Sequence, residues 1–304
     1  MWDRIAIISL NYNSLTDTIR QLSFLLQEGV PASCFYVVDN HSSDQKELDN
    51  FCSRKCIRFI PSFKNGGYAY GNNLAIRNAI QDGKDVFLLL NPDIEISKYT
   101  ITKLYEKLVD CSDLQIIAPR ICDKYQRDLI YSDGGIITPH RAWDDHVHYN
   151  ILKSQVKKNI GINVDIDYVN GSVMMFKKEV LEIIGYMRED FFMYYEETEW
   201  CYRLKKYPQY KIGVFTEVEA YHQMSDKGSF FHYYVTKNRI WFFRIHGFKY
   251  GKAVKKMFTS AFKAIFRKDE QVLTRKIAHC KLITKAIVHG LLINNKYEKN
   301  HSFH

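Results

Sequence analysis

The stretch Leu90-Asn91-Pro92-Asp93-Ile94-Glu95 follows an apolar run at 86–90. A carboxylate such as Asp93, fixed where a buried strand ends, is a good ligand for Mg2+ or Mn2+. These hard ions prefer oxygen and often bridge protein to diphosphate. The competing reading is an Asx-Pro turn stiffened by Pro92, with a solvated Asp93. The run Phe191-Phe192-Met193-Tyr194-Tyr195-Glu196-Glu197-Thr198-Glu199 sets three carboxylates at the start of an amphipathic helix. Acids gather at helix N-termini because the dipole is positive there. The aromatic residues before them also make a partly apolar setting, where a carboxylate can serve as a general base. His222, in Ala220-Tyr221-His222-Gln223, ends a predicted strand and is read equally as structural or as a second metal partner.

Three further stretches bear on a nucleotide. Asn11 and Asn13 stand at the end of the first apolar run. Asp39 and Asn40 end the second. An Asp in that position can accept from the ring N–H of uracil or thymine, or from a ribose hydroxyl. A helix cap or turn is the plainer use of Asp and Asn. The stretch Asn65-Gly66-Gly67-Tyr68-Ala69-Tyr70-Gly71-Asn72-Asn73 is neither a dinucleotide fingerprint nor a P-loop. Its glycines allow backbone to approach a ligand, and a following helix would present free N–H groups to an anion.

The elements that hold these residues alternate between two periods. Short apolar runs at 5–10, 34–38, 57–60, 86–90 and 114–118 read as strands buried on both faces. Helices are predicted between them: one capped by Ser14 and closed by Gly29, one opened by Ser43, then 72–81 and 99–109. Strand alternating with helix predicts an α/β fold, a mostly parallel sheet with helices on both faces. Ligands of such sheets bind at the carboxyl ends of strands, where the polar stretches fall. Residues 120–176 suggest hairpins. Helices at 178–184 and 196–206 and a strand at 211–215 follow, and from about 230 the chain reads as helical.

The bulk properties narrow the class. Hydrophobic residues make up 46% of the 304, enough for a core, so a disordered chain is excluded. The net charge of +9 asks for an anionic partner. The seven cysteines form neither a C-x-x-C pair nor a zinc pattern, which fits reduced thiols and a cytoplasmic setting. The N-terminal residues carry no signal-peptide pattern, and no apolar run approaches the ~18 residues of a spanning helix.

In this order the motifs resemble the bacterial family 2 glycosyltransferases, particularly the rhamnosyltransferase-like branch of surface-polysaccharide synthesis. The stretches ISLNYN, VVDNHSSD, NGGYAYGNN, LLLNPDIEI, VNGSVMMFKKEVLEIIGYMREDFFMYYEETEWCYR, AYHQMS and YYVTKNRIWF carry the likeness, over residues 5 to about 243. The resemblance implies a GT-A fold (Rossmann-like nucleotide binding) and an inverting displacement on a nucleotide-diphosphate sugar, of dTDP-rhamnose or UDP-sugar type. The family's metal motif maps to Asn91-Pro92-Asp93, with Asp93 as ligand and Asn at the first position. His222 matches a later His that contacts metal or diphosphate. The base maps to Glu197, with Glu where the family usually has Asp and Glu199 as the alternative. Asp39 matches the residue that recognises the nucleobase. Asn11, Asn13, Asn40, Gly66, Gly67, Tyr68, Asn72 and Asn91 are the further nucleotide-sugar candidates. Glu196, Arg203, Lys237 and Arg239 are the candidates for diphosphate or acceptor. The resemblance also implies a glycan or lipid-linked acceptor.

The charge is unevenly spread. Residues 237–304 hold sixteen Lys and Arg against three Asp and Glu, a net +13 that leaves −4 for the remainder. Val254, Met257, Phe258, Ala261, Phe262, Ile265 and Phe266 form a helical stripe among lysines. The expected organisation is a glycosyltransferase domain over 1–236 and a basic amphipathic region over 237–304. That region would touch an anionic membrane surface at its cytoplasmic face, or its stripe would pack on the catalytic domain or on a second copy in a homodimer. A nucleotidyltransferase would need a Gly-rich loop with Arg and Lys after the first strand, which Asn11-Tyr12-Asn13 does not offer. Nucleic acid is not expected as a partner, because the acids at 196–199 would repel phosphates. A catalytically inactive relative remains as an alternative, on the departures at Asn91 and Glu197.

Overall fold

The computed structural model describes residues 1–139, 143–156, 161–223, 227–266 and 273–293. Strands β1 (Ile5–Asn11), β2 (Phe35–Asp39), β3 (Arg58–Pro61), β4 (Val86–Leu90) and β5 (Leu114–Asp123) alternate with helices α1 (Leu15–Gln27), α2 (Gln45–Arg54), α3 (Gly67–Gln81) and α4 (Lys98–Asp110). Every residue of β2 and β4 is buried, as their unbroken apolar runs require. Burial contributes roughly 1.5–3 kcal/mol per large aliphatic side chain. These strands therefore anchor the loops that leave their carboxyl ends.

The middle of the chain supplies β6 (Leu129–Ser132), β7 (Gly135–Thr138), β8 (Trp143–His146), β9 (Ile151–Leu152), β10 (Ile162–Asn163) and β11 (Val173–Lys177). Helices α5 (Glu179–Ile184) and α6 (Glu196–Leu204) and strand β12 (Lys211–His222) follow. The sheet runs β10-β12-β5-β11-β4-β1-β2-β3, with β6 and β9 added beside β5, while β7 and β8 form a sheet of their own. Strands β3, β2, β1 and β4 are parallel neighbours, as are β5 and β12. Strand β11 lies antiparallel between β4 and β5. Two reversals across β11 leave β5 and β12 pointing the same way as β4, so the ends of β4 and β12 share one edge.

Three boundaries differ from the sequence expectation for physical reasons. Strand β5 runs on to Asp123, and β12 joins the strand predicted at 211–215 to the one predicted to end at His222, because β5 and β12 pair again past an irregularity between Phe215 and Glu219. Helix α3 begins at Gly67, not at 72, so most of the glycine-rich stretch is helix. Ser14 sits at the N-cap of α1 without a side-chain capping bond, since its hydroxyl donates to Asn11 Oδ1 at 3.0 Å. At α4, by contrast, Ser97 Oγ accepts from the Thr100 N–H at 3.1 Å.

The described residues fall into two compact units. One holds 1–136, 146–192 and 196–224, and the other holds 137–145, 193–195 and the chain from 225 onward. The second is built on α7 (Ser229–Ile245), α8 (Gly251–Ile265) and α9 (Leu273–Leu292). The expected boundary at 236/237 falls inside the continuous helix α7. Ile240, Ala261, Ile283 and Ile287 form this unit's core. A Cβ on Gly290 would lie 2.5 Å from the Lys237 carbonyl oxygen, so glycine there permits α9 to approach α7. All seven cysteines are free thiols, and burial pushes Cys52, Cys122 and Cys201 up to about 12.

Candidate active site

Asp93 and His222 meet. His222 Nε2 lies 3.0 Å from Asp93 Oδ2, although 129 residues separate them. Backbone pairing brings them together: the Glu95 N–H donates to Tyr221 O at 2.9 Å, and the Tyr221 N–H donates to Glu95 O at 2.8 Å. The Asn91-Pro92-Asp93-Ile94 turn is closed by the Ile94 N–H on Asn91 O at 3.1 Å. Buried Gln21 of α1 steadies it by donating to Asn91 O at 2.6 Å and Ile94 O at 2.9 Å. Sequence reasoning missed Gln21; a buried amide on an apolar helix face was the available signal. Burial resists ionisation of Asp93, but the His222 hydrogen bond and charge prevail, with Lys124 adding to them. The carboxyl is held below its ordinary value. Glu95 pairs with Lys124 at 2.9 Å and Arg127 at 3.0 Å.

The pair fits a hard divalent ion. Among the described residues no group of three or more His, Cys, Asp or Glu converges. Among the described residues the site offers one carboxylate and one imidazole, so an ion held there would take its other ligands from substrate phosphate and water. The Nδ1 of His222 is buried without a hydrogen-bond partner among the described residues. Tyr131 packs edge-on against that ring, with centroids 5.3 Å apart.

The acids of α6 separate by environment. Glu199 is buried and accepts from Arg203 Nε at 2.9 Å. The Arg203 guanidinium also donates to the carbonyls of Ile184 and Tyr186. This fixes Glu199 and Arg203 inside the unit and takes Arg203 away from its expected place at a diphosphate. Glu196 is buried, while Glu197 is half-buried and packs beside Gly171. A Cβ on Gly171 would come within 3.1 Å of Glu197 Cγ. The Gly171 carbonyl accepts from Tyr68 Oη at 2.5 Å. Burial pushes the Tyr68 phenol well up, and the charges of Glu197 and Glu196 add to it. Gly171, within VNGSVMM, had not been singled out. Just before α6, Phe192, Tyr194 and Tyr195 have φ of +71°, +66° and +78°. Such backbone costs of order 1–3 kcal/mol per residue and clusters at functional sites.

At the nucleotide edge, Asn11 and Asp39 form a buried knot. Asn11 Nδ2 donates to Asp39 Oδ2 at 2.7 Å, and Asn11 Oδ1 accepts from Ser14 and Thr18. Asp39 Oδ1 also accepts from the Ser42 N–H at 2.8 Å and from Gln45 at 3.1 Å. The Asn11 amide is thus committed to positioning Asp39. Three donors on about four lone-pair sites leave Asp39 room for one more. Asn13, at φ +51°, accepts from the N–H and hydroxyl of Ser43.

The glycine-rich amides are occupied by protein groups, which corrects the expectation of an open anion cradle. The Gly66 N–H donates to Asn40 Oδ1, the Gly67 N–H to Asn65 Oδ1 and the Tyr68 N–H to Phe192 O. Asn side chains mimic backbone acceptors, so they take the orphan donors of a helix start. Asn72 donates to Tyr68 O within α3. Gly67 has φ +86°, and a Cβ there would meet Phe192 O at 2.0 Å. Gly67→Ala is expected to cost roughly 2–5 kcal/mol through strain and crowding. An unchanged urea midpoint would contradict this.

In the second unit, Arg239 Nε lies 3.0 Å from Asp144 Oδ1 and 2.5 Å from the Tyr195 hydroxyl. The Tyr195 hydroxyl in turn donates to Asp144. The guanidinium, a candidate for diphosphate or acceptor, is instead buried in this cluster. Lys237 lies with Nζ 4.7 Å from the Tyr234 ring centroid.

No family model matches the sequence. The chain is 36% identical over 223 residues to the low-salt glycan biosynthesis hexosyltransferase Agl10 of Haloferax volcanii, covering 73% of this chain and 68% of that one. It is 24% identical over 236 residues to the dTDP-rhamnosyl transferase RfbF of Shigella flexneri, covering 75% and 71%. The mannosyltransferase PcManGT of Pyrobaculum calidifontis, solved with GDP-Man and Mn2+, superposes with TM-score 0.54 at 14% identity over 95% of this chain and 73% of that one. GalNAc-T7, solved with UDP, GalNAc and Mn2+, gives 0.56 at 14% identity over 73% and 43%. These two likenesses show the fold, which is GT-A. The 36% relationship, which spans most of both chains, carries the family: the chain belongs to the glycosyltransferases, among hexosyl- and rhamnosyltransferase-like relatives.

Proposed function

We propose that the protein moves a sugar from a nucleotide-diphosphate sugar, of dTDP-rhamnose or UDP-sugar type, to a hydroxyl of a glycan or lipid-linked acceptor, with inversion. The meeting of Asp93 and His222 at the shared edge of β4 and β12 carries this reading. The two would hold Mg2+ or Mn2+. The ion would supply charge to the departing diphosphate. Asp39, positioned by Asn11, accepts from the nucleobase N–H or a ribose hydroxyl. Asn13, Asn40 and the 65–73 segment shape that edge. Glu197 removes the proton of the acceptor hydroxyl. The hydroxyl oxygen attacks the anomeric carbon opposite the diphosphate, and the diphosphate leaves with the electrons of the broken C–O bond. In-line attack inverts the anomeric centre. The setting we infer is cell-surface polysaccharide synthesis, of O-antigen or capsule, at the inner face of the membrane. A homodimer through the C-terminal helices is the competing use of that region.

A donor-hydrolysis screen over nucleotide sugars, each with Mg2+ and with Mn2+, tests the reading. Turnover of one donor, dependent on the ion, is expected. Neither turnover nor binding with any nucleotide sugar would overturn it.

A further inference from the structure

Helix α8 sends its apolar residues in two directions. Ala253 and Ala261 are buried, and Val254 and Met257 pack on the core of α7 and α9. Phe258, Phe262 and Phe266 are 45%, 51% and 72% exposed. At about 100° per residue, the three phenylalanines fall on one ridge about 80° wide, beside the core-facing side. Phe262 and Phe266 touch, with centroids 5.4 Å apart. Lys252, Lys255 and Lys263 are exposed; Lys252 and Lys263 fall on the far flank of the ridge, and Lys255 falls within its arc, one turn before Phe258. No Asp or Glu occurs in the sequence between Asp226 and Asp269.

Three neighbouring exposed aromatic rings in water are unfavourable and mark an interaction surface. From this we infer that the Phe258–Phe262–Phe266 ridge docks α8 flat into the interface of an anionic bilayer. The rings enter the acyl boundary, and the lysines extend their stems upward to reach anionic headgroups. Charge decides between occupants. A second copy seated on the same ridge would bring the lysine flanks together, and juxtaposed like charges oppose association. An anionic surface instead attracts each such lysine. No helix among the described residues is long and apolar enough to cross a membrane. The inference extends the membrane part of the proposed function. It is read without any transfer reaction, so the two can fail separately.

Vesicle flotation of the full chain tests it, with phosphatidylcholine alone and with added phosphatidylglycerol. The wild type is expected to float with the anionic vesicles and to be released by salt. The combined variant Phe258→Ser, Phe262→Ser, Phe266→Ser should partition at least about tenfold less. Lys252→Glu, Lys255→Glu, Lys263→Glu should lose the preference for anionic lipid. Both should keep the circular-dichroism spectrum and donor hydrolysis of the wild type. Phe262→Trp should shift its emission to the blue when anionic vesicles are added. Wild type that does not float, a phenylalanine variant that floats equally, or a variant whose only change is from dimer to monomer would each overturn the inference.

Discussion

Glu197→Gln is expected to lower glycosyl transfer by about 10²–10⁴-fold, the usual worth of a general base. Binding of the nucleoside diphosphate should persist, because Asp39, Asp93 and His222 are untouched. Gln is nearly isosteric and stays in the space beside Gly171, so the loss reports on proton transfer and not on packing. Glu197→Asp restores the residue usual in the family and should keep measurable transfer. The neighbouring acid gives the contrast. Glu199 is buried against Arg203, and removing one member of such a pair costs roughly 3–5 kcal/mol. Glu199→Ala should therefore lower the melting temperature, while the protein that remains folded still transfers sugar. Single-turnover transfer and thermal melts, run on both variants, separate the roles. Full transfer by Glu197→Gln, or inactive but stable Glu199→Gln, would move the base to position 199.

Asp93→Ala should reduce kcat by about 10²–10³-fold, the cost of losing one element of charge stabilisation where the leaving group develops charge. The readout that separates this from general damage is binding. Calorimetry should show that Mn2+ no longer tightens the nucleoside diphosphate on the variant. His222→Ala should weaken the same effect without the loss of a negative charge. The pH response has a definite sign. The Asp93 carboxyl lies below its ordinary value, so stability from its contact with His222 is present above the unfolded carboxylate range. It fades only as pH falls through the lowered folded value. If Mn2+ tightened nucleotide binding equally in Asp93→Ala and wild type, the metal assignment would be wrong.

Much of this site was legible in one dimension, because strand period and turn chemistry are local. The unbroken apolar run at 86–90 is β4 residue for residue, and it places Asp93 at a strand end. The acids at 196–199 open a helix, as their spacing implied. The glycine-rich segment was misjudged because its helix start depends on a distant acceptor, the carbonyl of Phe192, which takes the Tyr68 N–H at 2.7 Å. Lys237 and Arg239 stand in the sequence as candidates for diphosphate or acceptor, yet both are buried, as is Asn238 between them. Their surroundings come from Asp144 and from the 193–195 backbone, which no local pattern predicts.

The +13 tail was read correctly as charge and as a helical stripe, since both follow from composition and from a 3.6-residue period. Which part of the stripe meets water depends on where α7 and α9 lie, and only packing decides that. Composition and local pattern were enough for the chemical inventory and the elements that carry it: one carboxylate after β4, one histidine ending β12, three acids opening α6. Tertiary structure decided which of these act together. The sheet order brings the carboxyl ends of β12 and β4 to the same side of the sheet, so that Asp93 and His222 touch across 129 residues. Burial and the Arg203 pair set Glu199 apart from Glu197. Contacts of that range are fixed by register and packing between distant strands, and no property of the neighbouring residues encodes them.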